Sequence, residues 1–126
     1  MALRVFKTRL FCKFADDERV TDISICQAVR RLEDGLIDAD LGGGLIKQRI
    51  ARVGQGRSGG FRTLIAYRSG ERAVFLAGFA KNVRDNLTAI ELKELRKAGK
   101  AYLILEENKI EGAIAEGKLS EVDCNA

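Results

Sequence analysis

Between Asp40 and Glu71 the chain carries Lys47, Arg49, Arg52, Arg57, Arg62 and Arg68 and no carboxylate. The same stretch, LGGGLIKQRIARVGQGRSGGFRTLIAYRSG, is rich in glycine, with Gly42, Gly43, Gly44, Gly54, Gly56, Gly59, Gly60 and Gly70. A run of one charge sign, threaded with residues that let backbone approach a ligand closely, suits a polyanion and reads as an RNA-handling surface. Arginine fits phosphate because its planar fork gives two hydrogen bonds and stays charged. Arg49 and Arg62 are therefore the candidates for clamping one phosphate, provided that strand register puts them on one face. Lysine is the more adjustable group, since neighbouring like charge lowers its proton affinity, and Lys47 is the candidate for proton transfer. Arg52 and Arg57 add phosphate contacts. Tyr67 or Phe61 offers a ring on which a splayed base could stack, or else both fill the core of an alternating strand.

Other chemistries are closed off. There is no histidine among the 126 residues, which removes the usual general base, the usual zinc ligand and the histidine-activated nucleophiles. Cys12, Cys26 and Cys124 are odd in number and lack C-x-x-C spacing, so reduced, mostly buried thiols are expected, with no disulfide or metal role. Asp16-Asp17-Glu18 reads as a solvated connection. The segment Val53–Gly60, containing GQGRSGG, is expected to be a mobile cationic loop whose amides and Arg57 close on phosphates, or a plain connector. It lacks the lysine-hydroxyl pair of a nucleotide-binding loop, and a strand rather than a helix follows it, so no cofactor and no metal is expected. No apolar run approaches a membrane span and no secretory pattern follows Met1, so the expected location is cytoplasmic, away from membranes.

The net charge of +4 hides a sorted distribution. Residues 1–40 sum to −1, residues 41–70 to +6, residues 71–101 to +3 and residues 102–126 to −4. The acidic end is either a docking segment or a flap over the basic surface.

The elements that must hold the cations follow from periodicity. A first strand is expected at Arg4–Thr8, then one helical turn through Phe11–Ala15. Thr21 caps a helix whose stripe is Ile25, Ala28, Val29 and Leu32, with Val20 and Ile25 as a hydrophobic staple and Gly35 as its stop. Strands are expected at Leu45–Val53, Phe61–Arg68 and Arg72–Ala80, joined as an antiparallel meander. Alternation puts Lys47, Arg49 and Ala51 opposite Ile46, Gln48 and Ile50, and separates Arg62, Leu64 and Ala66 from Phe61, Thr63, Ile65 and Tyr67. Thr88 and Glu91 form a capping box for a C-terminal helix along Leu92, Leu95, Gly99 and Tyr102. Helical pattern resumes from Lys109 to Ala115 and ends near Gly117. The whole makes one α+β domain over residues 1–126, with residues 102–126 an acidic, helical extension.

The order Gly43-Gly44-Leu45, Lys47, Arg49, the GQGRSGG loop, Gly59-Gly60-Phe61-Arg62 and Phe79-Ala80-Lys81-Asn82 resembles the RelE/HigB-like toxins of type II toxin–antitoxin systems, over roughly residues 4–101. That resemblance implies an antiparallel sheet of about four strands with N-terminal helices and a C-terminal helix. It also implies an endoribonuclease that cuts mRNA in the ribosomal A site and a cognate antitoxin of helix-turn-helix type. On the family pattern the catalytic basic residues fall on Lys47, Arg49, Arg62, Lys81 and Arg84, with Arg57 in the loop. The best-known members also use a tyrosine near the start of the C-terminal helix, where this chain has Leu87-Thr88-Ala89. A toxin of related fold acting on another target such as DNA gyrase, or a module that only grips nucleic acid, also accommodates these residues.

Overall fold

Three of the four described helices start where a threonine hydroxyl takes up an otherwise unpaired amide. In the computed structural model, which describes residues 3–52, 56–80 and 87–124 (backbone alone for Arg52 and residues 56–59), Thr8 ends strand β1 (Arg4–Thr8) and caps α1 (Arg9–Glu18). Its Oγ1 accepts from the amide of Phe11 at 3.1 Å. Thr21 does the same for α2 (Asp22–Glu33), accepting from the amide of Ser24 at 3.1 Å, and Gly35 stops that helix at φ +80°. The expected single turn at Phe11–Ala15 is thus a ten-residue helix, because Thr8 supplies a cap just ahead of Phe11.

The next elements are β2 (Ala39–Gly42), β3 (Leu45–Arg52), β4 (Gly56–Arg68), β5 (Arg72–Ala80), α3 (Ala89–Leu103), α4 (Glu107–Ala115) and β6 (Leu119–Val122). Gly42, Gly43 and Gly44 all have positive φ, which makes the reversal between β2 and β3. Arg96 from α3 lies over this turn and donates from Nε to the carbonyl of Leu41 at 2.8 Å. Both halves of the Thr88–Glu91 capping box are present at the start of α3.

The fold is α+β, as expected, but the sheet has six strands in the order β2-β3-β4-β5-β1-β6. It is mixed: β1 runs parallel to β5, and the other pairs are antiparallel. The expected four-stranded antiparallel sheet missed β2 and β6, each of only four residues, and the parallel seam, which is made by segments far apart in sequence. The residues expected to form a loop up to Gly60 are already strand from Gly56. The C-terminal segment is helical over α4 but ends in β6, which adds to the free edge of β1.

Both faces of the sheet are covered. On one, α1 and α2 pack through Phe11, Ile25, Val29 and Leu32 onto Ile46, Ile50, Ile65 and Phe75. On the other, α3 and α4 pack through Leu103 and Ile110 onto Phe6, Leu45, Leu64, Ala66, Val74 and Leu76. Cys26 on α2 and Cys124 beyond β6 form a disulfide with a Cα separation of 5.4 Å, joining positions 98 residues apart. This corrects the expectation of reduced thiols: β6 docking beside β1 brings Cys124 to α2, a proximity that spacing along the chain does not reveal. Cys12 is free. No helix among the described residues is long and apolar enough to cross a membrane.

Candidate nucleic-acid interface

The register between β3 and β4 decides where the cations go. Arg49 stands directly across from Arg62, and Lys47 directly across from Leu64. Directly opposed residues in an antiparallel pair project to the same side. Leu45, Leu64 and Ala66, which share their parity with Lys47, Arg49 and Arg62, pack in the cluster under α3 and α4. The three cations therefore occupy the α3 face of the sheet, where each is part-exposed. On β5, Phe79 lies directly across from Arg62 and Ala77 across from Leu64, so Arg49, Arg62 and Phe79 make one row over three strands.

The row is electrostatically unfavourable by itself. Like charges directly opposed across a strand pair destabilise it, and Nη1 of Arg62 is buried with no hydrogen-bond partner among the described residues. A donor in that state costs roughly 1–3 kcal/mol until an acceptor arrives. An anion seated between Arg49 and Arg62 would relieve both penalties.

One counter-charge is supplied from the chain just ahead of β2. Asp38 Oδ2 accepts from the backbone amide of Arg49 at 2.7 Å, and Oδ1 lies 3.6 Å from the Arg49 guanidinium. Arg31 on α2 reaches the same carboxylate with two nitrogens, at 3.2 and 3.4 Å. Burial alone would raise the Asp38 carboxyl, but the Arg31 and Arg49 hydrogen bonds outweigh it and hold the group below its usual range. Gln48, fully buried on the α2 side of β3, fixes this carboxylate in place. Its Oε1 accepts from the Asp38 amide and its Nε2 donates to the Leu36 carbonyl, both at 2.9 Å. Behind the strand, a cavity of about 610 Å³ opens between α2 and β3, lined in part by Gln27, Arg30, Arg31, Leu36 and Arg49.

Of the residues singled out in the sequence, Lys47, Arg49 and Arg62 share a face and two adjacent strands. Tyr67 does not join them: it shares parity with Phe61, Thr63 and Ile65 and packs against the α1–α2 side, so the stacking role expected of it has no geometry here. The side chains of Arg52 and Arg57 and the whole of Lys81 and Arg84 lie outside the described residues. β5 ends at Ala80, which pairs with Phe61. Asp38 and Gln48 were not singled out for this role. Their signals were an acid three residues ahead of a run without acids, and an amide placed among isoleucines on the apolar parity of β3.

Residues 3–122 match the family model described as RelE toxin of RelE / RelB toxin-antitoxin system. The chain belongs to the RelE toxin family. No curated protein matches it. The RelE match spans α4 and β6 as well as the sheet, so the acidic C-terminal segment lies largely within the family's domain rather than beyond it. As a RelE-family member the protein is the toxin half of a toxin–antitoxin module, and a cognate antitoxin is its partner.

Proposed function

We propose that this RelE-family toxin is an endoribonuclease that cuts mRNA in the ribosomal A site and so arrests translation in the cytoplasm. The observation carrying this reading is the opposed pair Arg49–Arg62 on one sheet face, with a buried Arg62 nitrogen lacking an acceptor. RNA brings its own nucleophile, the 2′-hydroxyl. Cleavage forms the bond from O2′ to phosphorus and breaks the bond to the 5′-oxygen, leaving a 2′,3′-cyclic phosphate and a 5′-hydroxyl. The 2′-hydroxyl loses a proton and the departing 5′-oxygen gains one.

In this reading Arg49 and Arg62 hold the non-bridging oxygens and take up the extra charge of the five-coordinate phosphorus, the term that preorganised donors stabilise best. Lys47, next on the same face, moves a proton, and Lys81, Arg84, Arg52 and Arg57 are assigned the remaining contacts to the RNA backbone. Tyr67 and Tyr102 are the chain's two tyrosines. Tyr67 packs on the far face and Tyr102 in the α3–α4 cluster, so lysine rather than tyrosine is assigned the proton transfer. The antitoxin is proposed to be a helix-turn-helix protein.

Primer extension on mRNA after brief induction tests this. Discrete, codon-associated cuts that disappear in the Arg49→Ala/Arg62→Ala double variant are the expected result. Toxicity with intact mRNA and damaged DNA would instead indicate a gyrase-type target. RNA binding with neither effect would leave only a phosphate-gripping module.

A further inference from the structure

We propose that Asp38 is a positioning residue for Arg49, a carboxylate divided between Arg31 and Arg49 that sets where the Arg49 guanidinium waits and how readily it moves onto a phosphate. The proposal rests on the nuclease reading for its catalytic arm and on anion binding alone for the other. Asp38 grips the backbone of Arg49 at 2.7 Å, and Arg31 at 3.2 and 3.4 Å, but the Arg49 guanidinium stands at 3.6 Å, beyond hydrogen-bonding distance. The hydrogen bonds thus go to groups that stay, and the longer, purely ionic contact to the group that must move.

Gln48 makes the arrangement specific. Both ends of its buried amide are satisfied by the backbone of Leu36 and Asp38, which leaves the carboxylate one position relative to β3. Asp38 also offsets the repulsion between Arg49 and Arg62 while the site is empty. When phosphate takes Arg49, Arg31 keeps Asp38 from being left as a buried charge without a partner. Sharing therefore weakens the ground-state grip on RNA while holding Arg49 in the orientation that the reacting phosphate needs.

Two substitutions should act in opposite directions. Asp38→Asn removes the competitor, so binding of a short RNA with 2′-deoxy central positions, which cannot be cleaved, should tighten roughly two- to five-fold, the scale of one half-exposed ion pair. Cleavage of mRNA should fall about tenfold or more, because Arg49 loses its orientation. Arg31→Gln leaves Asp38 wholly to Arg49 and should weaken RNA binding, and this loss should vanish in the Asp38→Asn background. Asp34→Asn, which removes a carboxylate from the same end of α2, should change neither quantity.

The proposal is overturned if Asp38→Asn weakens RNA binding, if it leaves cleavage unchanged, or if Arg31→Gln costs as much binding with Asp38 absent as with it present. Should Asp38→Asn not fold, Arg31→Gln is compared with Arg30→Gln, which removes a like charge from the same helix: a larger loss of binding for Arg31→Gln supports the sharing and an equal or smaller loss overturns it. A wild type that binds RNA but never cuts mRNA would refute the nuclease reading, and the binding comparisons would still decide the role of Asp38.

Discussion

If Arg62 is kept for an anion rather than for the fold, replacing it should make the protein more stable. Arg62→Met retains an unbranched apolar stem beside Leu64 and Phe79 and removes the guanidinium. Two penalties go with it. The buried Nη1 without an acceptor accounts for about 1–3 kcal/mol. The like-charge opposition to Arg49 adds something below about 1 kcal/mol, since the Arg49 side chain is 41% exposed and Asp38 stands beside it. The expected gain is about 1–3 kcal/mol, seen as a higher urea midpoint at unchanged slope. For a chain of this size, Tm rises roughly 3–6 °C per kcal/mol.

The same experiment with ligand present separates a binding site from a poorly packed one. An anion that binds only the folded state stabilises it by RT ln(1 + [L]/Kd), about 2.7 kcal/mol at one hundred times Kd. Inorganic phosphate or an uncleavable RNA should therefore raise the wild-type midpoint and leave the Arg62→Met midpoint where it is. A variant less stable than wild type by 1 kcal/mol or more, at unchanged slope, would refute the reasoning. It would mean that the guanidinium supports the sheet and that its unpartnered nitrogen says nothing about function.

Reducing the Cys26–Cys124 bond, or replacing both residues by alanine, should cost about 2–4 kcal/mol, because the closed loop spans most of the chain; denaturation with and without a thiol reductant measures it, with Cys12→Ser as the neutral control. Gly99→Leu should cost about 1–3 kcal/mol in thermal unfolding, since even a Cβ there sits 3.1 Å from that of Ala66 and 3.5 Å from Leu76. In acid the carboxyls of Asp38 and Glu121 sit below their usual range in the folded chain: burial opposes this at both, and the arginines beside them prevail. The unfolded chain therefore binds more protons there, so this part of the stability is fully present above about pH 5 and is lost as pH falls through about 4 and below. Urea midpoints from pH 7 down to 3 should show it, and in Asp38→Asn the acid loss should be smaller.

Much of the scaffold was readable because its signals are local. A hydroxyl followed three residues later by its amide partner marks the starts at Thr21 and Thr88, and strand parity sorted Lys47 and Arg49 from Ile46 and Ile50. The same parity already separated Tyr67 from Arg62, so the hope of a stacking ring there conflicted with the alternation that placed the arginines. Features decided by distant segments were not readable. The parallel seam of β1 with β5 depends on which edge the N-terminal strand finds, and the addition of β6 and the Cys26–Cys124 bond depend on where the C-terminal segment docks. Asp38 was hidden for a related reason: its importance comes from Arg31 and Arg49, seven and eleven residues away on different elements.

The separation of charge along the chain becomes a separation in space. Three of the six acids of the C-terminal segment are engaged at the β1 edge, where Arg4 pairs with Glu107, Glu111 and Glu121, and Arg72 with Glu107; Glu116 pairs with Lys118. Those two arginines lie outside the run from Lys47 to Arg62, and β5 and β4 stand between β1 and β3. So these acids do not reach over the Arg49–Arg62 row as a flap; they are held by cations that anchor α4 and β6 to the sheet. Among the described residues, the acid that meets the row is Asp38, and Arg31 claims part of it. A surface meant only for solubility would have mixed its charges across the sheet. This one concentrates cations opposite one another, leaves a buried nitrogen without an acceptor and, among the described residues, sets one shared carboxylate beside them, an arrangement suited to drawing in a phosphate and releasing it again.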